Sequence, residues 1–254
     1  MKILKYVIPV LLLTVVLCSF ALREKPNMNV VFIGDSITHG TTQKDETPPN
    51  YTDSALTESH KFDTVQVSNQ GISGFTTVDF LPATNKAYKK VRAAADAFYA
   101  DKQAMLIFSV MLGTNDSAIK GPNGSPVSAE SYHDNLKIII DSLLAAYPEC
   151  KIVLNYPIWY SNNTHNRGAT YMQEGLTRVQ SYQPQIKALV KEYKKINAHH
   201  VFLGDKDGFK YFEQNYLTDL KAEIGPDGTF YLHPNKKGDI ALGKFWCEGI
   251  LKVF

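Results

Sequence analysis

Five short apolar runs recur along the chain with stretches of helical periodicity between them: Val30-Val31-Phe32-Ile33, Val65-Gln66-Val67, Met105 to Met111, Ile152-Val153-Leu154 and Val201-Phe202-Leu203. Runs this short and this apolar read as strands buried on both faces, and strands that alternate with helices form a parallel sheet covered on both sides. The expected class is therefore α/β. Between the third and fourth runs, Leu136, Ile139, Ile140, Leu143, Leu144 and Tyr147 fall on one helical face, with Ser128 placed as N-cap and Pro148 as a stop. Pro184 is expected to open the next helix, carrying the stripe Ile186, Leu189, Val190 and Tyr193, and Ile240 to Phe254 forms the last.

The start of the chain has a different character. Lys2 and Lys5 precede an apolar stretch from Tyr6 to Leu17, and Ser19-Phe20-Ala21 has the small-x-small pattern of a cleavage site. At about 1.5 Å per residue that stretch makes a helix of roughly 18 Å, short of a hydrocarbon core of about 30 Å. Residues 1–21 therefore read as a secretory signal peptide rather than a membrane span, and residues 22–254 as a single exported domain. A lipid anchor at Cys18 is the alternative, against which the bulky Leu17 speaks. Apart from Lys2 and Lys5, the 27 Lys+Arg and 25 Asp+Glu balance, and no long basic run exists, so there is no electrostatic case for a nucleic-acid partner. Cys150 and Cys247 read as buried thiols, a bridge between them being the alternative. No H-E-x-x-H or Cys/His cluster is present, so neither metal nor other cofactor is expected.

In open α/β sheets ligands sit beyond the carboxyl ends of the strands, so the residues following each run are where chemistry is sought. The first run leads into Gly34-Asp35-Ser36-Ile37-Thr38, a serine at a strand-to-helix turn. The second leads into Asn69-Gln70-Gly71-Ile72-Ser73-Gly74-Phe75-Thr76, where glycines let backbone N–H groups turn into the crevice. The third ends in Gly113-Thr114-Asn115-Asp116, whose Asn amide can donate to the same point. Tyr231-Leu232-His233-Pro234-Asn235 precedes the last helix and brings the best-placed general base, His233; His39 is its rival by proximity to Ser36.

In this order and over nearly the whole mature chain, the four segments resemble the blocks of the SGNH, or GDSL, hydrolase family. The resemblance implies a three-layer α/β/α sandwich on a five-stranded parallel sheet. It also implies that Ser36 is the nucleophile, that the N–H groups of Ser36 and Gly74 with the Asn115 side chain form an oxyanion hole, and that His233 is the base. One position departs from the pattern. The family's Asp, three residues before the His, is replaced by Phe230, and the nearest upstream Asp is Asp227. Asp227 is the candidate partner of the imidazole; the alternatives are that the third member is absent, or that Asp205 or a backbone carbonyl orients the ring, since a third group need only hold the tautomer and favour the imidazolium.

The expected reaction is hydrolysis of an acyl ester. Asp35 and Thr38 beside the serine, and Trp159 and Tyr160 as stacking surfaces, are the candidate substrate-binding residues. His39, Gln43, Ser117, Asn155, Ser161, Asn162 and Asn163 complete a polar rim suited to a sugar. The resemblance implies the same, because many exported family members are carbohydrate O-acetylesterases. The alternatives are a lipid-directed esterase, lysophospholipase or thioesterase, and a catalytically silent carbohydrate-binding protein.

Overall fold

The first apolar run lies within β1 (Asn27–Gly34), which is buried along all but its first residue. It is flanked by β2 (Val65–Asn69) and β3 (Ala104–Met111), and the sheet continues through β4 (Lys151–Leu154) and β5 (Val201–Leu203). All pair in parallel in the order β2-β1-β3-β4-β5. The computed structural model describes residues 25–40 and 43–254; the signal peptide expected over residues 1–21 and the anchor at Cys18 lie outside the described residues.

The helices are α1 (Ser36–His39), α2 (Pro48–Glu58), α3 (Thr77–Phe80), α4 (Ala87–Tyr99), α5 (Ala129–Ala146), α6 (Met172–Ile196), α7 (Gly208–Asp219) and α8 (Lys236–Leu251). Over one face of the sheet α2 packs on α8 and α8 on α7; over the other α5 packs on α6, with α3 touching α4 and α5. The expected α/β/α sandwich is the observed fold. Its core shows why both faces of β1 must be apolar: Phe32 stacks on Trp246 of α8 with ring centroids 5.5 Å apart, while Val30, Val31 and Ile33 are also buried. Ser128 caps α5 as expected, its hydroxyl accepting from the Ser131 N–H at 3.1 Å.

Two expectations change. Pro184 does not open a helix but lies inside α6. A proline there removes one backbone hydrogen bond, that to the Gln180 carbonyl, and both Pro184 and Gln180 are exposed, so solvent can satisfy the freed oxygen. The segment before His233 is not a loop. Residues 220–234 form an antiparallel hairpin, β6 (Leu220–Gly225) and β7 (Gly228–Pro234), joined by Pro226-Asp227. Cys150 and Cys247 are both buried and unbridged.

The strand order reverses direction between β1 and β3: the chain moves from β1 outward to β2, then crosses back to β3 on the other side. The loops leaving β1 and β3 therefore diverge and leave a crevice at their carboxyl ends. Ser36 follows β1 and Asn115 follows β3, so the topology itself brings these two residues to one place.

Candidate active site

Asp35 forms the turn that presents the serine. Its Oδ1 accepts from the Ile37 N–H at 2.9 Å and starts α1, putting Ser36 at the first helical position. Asn69 ties the next loop to this turn, its Oδ1 accepting from the Gly71 N–H at 3.0 Å and its Nδ2 donating to the Thr38 carbonyl at 2.9 Å. Gly71 must be glycine, because a Cβ there would stand 2.4 Å from the His39 nitrogen. Gly74 is needed for another reason: no atom would obstruct its Cβ, but φ is +81°.

The loop after β3 is anchored by Asp116, whose carboxylate accepts from both the N–H and the hydroxyl of Thr77. That fixes Asn115 beside the Gly74 segment. Its Nδ2 donates to the Phe75 carbonyl at 3.0 Å, and its Oδ1 accepts from the Tyr171 hydroxyl at 2.7 Å. Burial pushes the Tyr171 phenol up, so it remains a donor and sets which end of the amide faces the crevice. One Nδ2 hydrogen is left for a ligand. The N–H groups of Ser36 and Gly74 are not taken by another group among the described residues.

Ser36 Oγ lies 2.9 Å from His233 Nε2. On the far side of the ring, Nδ1 lies 3.0 and 2.9 Å from the two carboxylate oxygens of Glu223, on β6. Partial burial, the largest single influence, pushes the Glu223 carboxyl up, but the hydrogen bonds from the His233 ring and backbone N–H, with the charges of His233 and Lys221, together outweigh it and hold the group below the usual range. A carboxylate only accepts, so Nδ1 carries the proton and Nε2 is left to accept from the Ser36 hydroxyl.

The hairpin geometry explains how Glu223 gets there. Between the pairs Leu220–Pro234 and Ala222–Tyr231, three steps of β7 match two of β6, a bulge at Leu232-His233. Such bulges re-aim a side chain and leave a backbone group unpaired. Here the freed His233 N–H donates to Glu223 Oε2 at 3.2 Å, so one carboxylate holds both the ring and the backbone of the base.

Asp227, expected beside the imidazole, is elsewhere. It sits at the tip of the hairpin, where its Oδ2 lies 2.5 Å from His165 Nδ1. A turn residue points away from the strand on which His233 stands, so the expectation is corrected to Glu223. Asp205 is also remote from this role: it is buried and accepts from the N–H groups of Asp207 and Gly208 at the start of α7. The rival base His39 turns its Nδ1 toward the Gly71 carbonyl at 3.1 Å.

The pocket over Ser36 has a volume of about 340 Å³ and is walled by Ser73, Gly74, Asn115, Asn166, Tyr171 and Leu232 among others. The expected substrate contacts fall differently. Asp35 and Thr38 are 0 and 1 % exposed and support the turn from beneath. Burial pushes the Asp35 carboxyl up to about 6. Tyr160 is buried, its hydroxyl 2.7 Å from Ser117 Oγ, and Ser117 and Asn155 are buried with it. Trp159 lines a separate groove. Residues 164–172 wall the pocket instead, supplying Asn166, Ala169 and Tyr171.

Sequence reasoning missed Glu223, Tyr171 and the anchoring roles of Asn69 and Asp116. A signal for the first was present: Pro226-Asp227-Gly228 between two strand-like segments is a turn sequence, and it would have placed residues 220–225 on a strand beside His233.

A parallel-sheet α/β/α sandwich with a serine, a histidine and a carboxylate in hydrogen-bonded series at its carboxyl edge defines a class of ester- and acyl-cleaving hydrolases. The family model of the GDSL-like lipases and acylhydrolases matches residues 32–239, and the chain belongs to that family. Among solved structures, a carbohydrate acetylesterase from Sinorhizobium meliloti is 15 % identical, with a TM-score of 0.60 over 90 % of this chain and 100 % of its own. An aryl esterase from M. smegmatis is also 15 % identical, with a TM-score of 0.61 over 89 % of this chain and 100 % of its own. At these identities the likeness is one of fold. No curated protein sequence matches this chain.

Proposed function

We propose that the protein is a serine esterase that removes O-acyl groups, foremost O-acetyl, from carbohydrates. The observation that carries this reading is the series Ser36–His233–Glu223, each link near 2.9 Å, opening on a small pocket with three converging donors. His233 Nε2 takes the proton of Ser36 Oγ as the oxygen attacks the ester carbonyl. The N–H groups of Ser36 and Gly74 and the Asn115 amide then meet the charge that develops on the carbonyl oxygen. His233 passes its proton to the departing sugar oxygen, and a water activated by the same ring releases the acid. Throughout, Glu223 balances the imidazolium.

The acyl group is the small one because the pocket is small and is narrowed by side chains that are held in place. Tyr171 and Asn115 are locked to each other, and Ala169 is buried in the wall. Ser73 supplies a hydroxyl, and Asn166, whose Oδ1 is taken by the Gly168 and Ala169 N–H groups, supplies an amide donor, both suited to sugar hydroxyls. The S. meliloti carbohydrate acetylesterase of the same fold supports this reading. We take the protein to act after export, its leader being residues 1–21.

The test is acetate release by the mature protein from a panel of acetylated sugars, beside aryl esters of increasing acyl length, with Ser36→Ala as control. Release from the sugars that the control lacks supports the assignment. Rates that climb with acyl length replace it with a lipid-directed esterase, and undiminished hydrolysis by Ser36→Ala removes the serine from the mechanism.

A further inference from the structure

Trp159, expected over the serine, instead lines a groove of about 730 Å³ outside the catalytic pocket. Three rings meet there. Trp159 inclines on Tyr216 with centroids 5.2 Å apart, and Tyr216 meets Tyr231 edge to face at 4.9 Å. Trp159 is mostly covered, while Tyr216 and Tyr231 are partly exposed, so the cluster meets solvent through these two tyrosines. Around them stand the exposed amides Asn162, Gln173 and Gln180. Neither Asn162 nor Gln180 has a side-chain hydrogen bond among the described residues, so their donors and acceptors remain available.

The chemistry of this lining is specific. Among the described residues no Lys or Arg lines the groove and its one charge is the carboxylate Glu213, which disfavours phosphorylated and acidic ligands. The amides are too numerous for an acyl chain, whose burial would strip them of water without replacing their bonds. Rings with a polar tip beside paired donor–acceptor amides suit a ligand with C–H faces and vicinal hydroxyls.

The groove also adjoins the catalytic pocket through shared segments. On β7, Thr229 and Tyr231 line the groove and Leu232 and His233 line the pocket; around the start of α6, Gln173 faces the groove and Tyr171 the pocket. Within the groove wall, the Ser161 N–H donates to the Tyr231 carbonyl and the Tyr231 N–H to Ser161 Oγ, both at 2.9 Å, which fixes residues 159–163 against β7.

We propose that this groove is a second, noncatalytic binding site for a neutral oligosaccharide, holding sugar units of a substrate chain while an esterified unit occupies the pocket over Ser36. It rests on the carbohydrate esterase reading for its biological use, but binding and turnover can be measured apart.

The experiment uses the mature Ser36→Ala protein, with xylohexaose, mannohexaose and cellohexaose as probes in calorimetric titrations. At least one is expected to bind. In the same background Tyr216→Ala, and separately the surface double variant N162A/Q180A, should weaken that binding about tenfold. With Ser36 restored, the same variants should lower kcat/KM on an acetylated oligosaccharide relative to that on 4-nitrophenyl acetate by a similar factor. No binding of any probe, or unchanged affinity in both variants, overturns the groove assignment. Binding that weakens as expected in a protein that releases no acetate from any acetylated sugar supports the groove and overturns the esterase reading.

Discussion

Glu223 grips His233 twice, its carboxylate lying 2.9 Å from Nδ1 and accepting the backbone N–H at 3.2 Å across the β6–β7 bulge. The acid of this site thus comes from the neighbouring strand, ten positions before the base. A single bulge gives the acid its ring partner and its backbone partner together.

The first prediction concerns which carboxylate matters. Glu223→Gln places a donor or a neutral acceptor against Nδ1 and disturbs the tautomer, and kcat on an acetyl ester should fall by about 10²- to 10⁴-fold. Asp227→Ala should stay within about threefold of the parent, since only an exposed pair with His165 is lost. Steady-state kinetics of the two variants decide the matter, and the reverse ranking would restore Asp227 to the site.

Tyr171→Phe tests the oxyanion hole without touching it. Losing the hydroxyl leaves Asn115 Oδ1 without its buried donor, so the amide is no longer held in one orientation. One such bond is worth roughly 1–3 kcal/mol, which sets a loss of about five- to 150-fold in kcat. KM should change little. An unchanged kcat would mean that the Phe75 carbonyl alone orients the amide.

Gly74→Ala separates backbone strain from crowding. The site has room for a methyl group, yet φ of +81° costs an L residue about 1–2 kcal/mol. The chain should relieve this by turning the residue-74 N–H away from the crevice. A fall in kcat of about tenfold or more, with circular dichroism unchanged, is expected; wild-type turnover would show that this N–H does not act on the reacting oxygen.

Two buried aspartates predict a pH dependence of stability. Burial pushes Asp35 up to about 6 and Asp116 up to about 7. Both lie above an unfolded value of about 3.9, so the folded state holds these protons more tightly. Their contribution is complete below pH about 4 and is lost as pH rises through about 7. Asp116→Asn stays neutral, so its unfolding free energy in urea should fall less than the parent's between pH about 5 and about 8. Parallel pH profiles for the two proteins would count against a buried, protonatable Asp116.

The parallel sheet was legible because strands buried on both faces must be apolar along their whole length, a local property that the five runs display. Ser36, Asn115 and His233 could be located because each follows or precedes a recognisable element, and the strand order converts such positions into proximity. Pro184 was misplaced because the sequence does not say that its missing hydrogen bond faces water. Trp159 and Tyr160 were misplaced for a related reason: adjacent residues on irregular chain point in directions set only by their neighbours, here Tyr216 for one and Ser117 for the other.

The sequence by itself determined the sheet and the serine turn, which follow from periodicity and local backbone requirements, and it singled out His233 through its place before the last helix and the resemblance of its segment to a family block. Only the tertiary structure decided the acid. Asp227 is nearer to His233 along the chain, yet a two-residue turn carries it to the tip of the hairpin, while Glu223, paired with Phe230, reaches diagonally across to His233 at the bulge. Separation along the chain does not set distance across a hairpin, where residues three and fourteen positions apart are paired alike, and these hydrogen bonds are made across it.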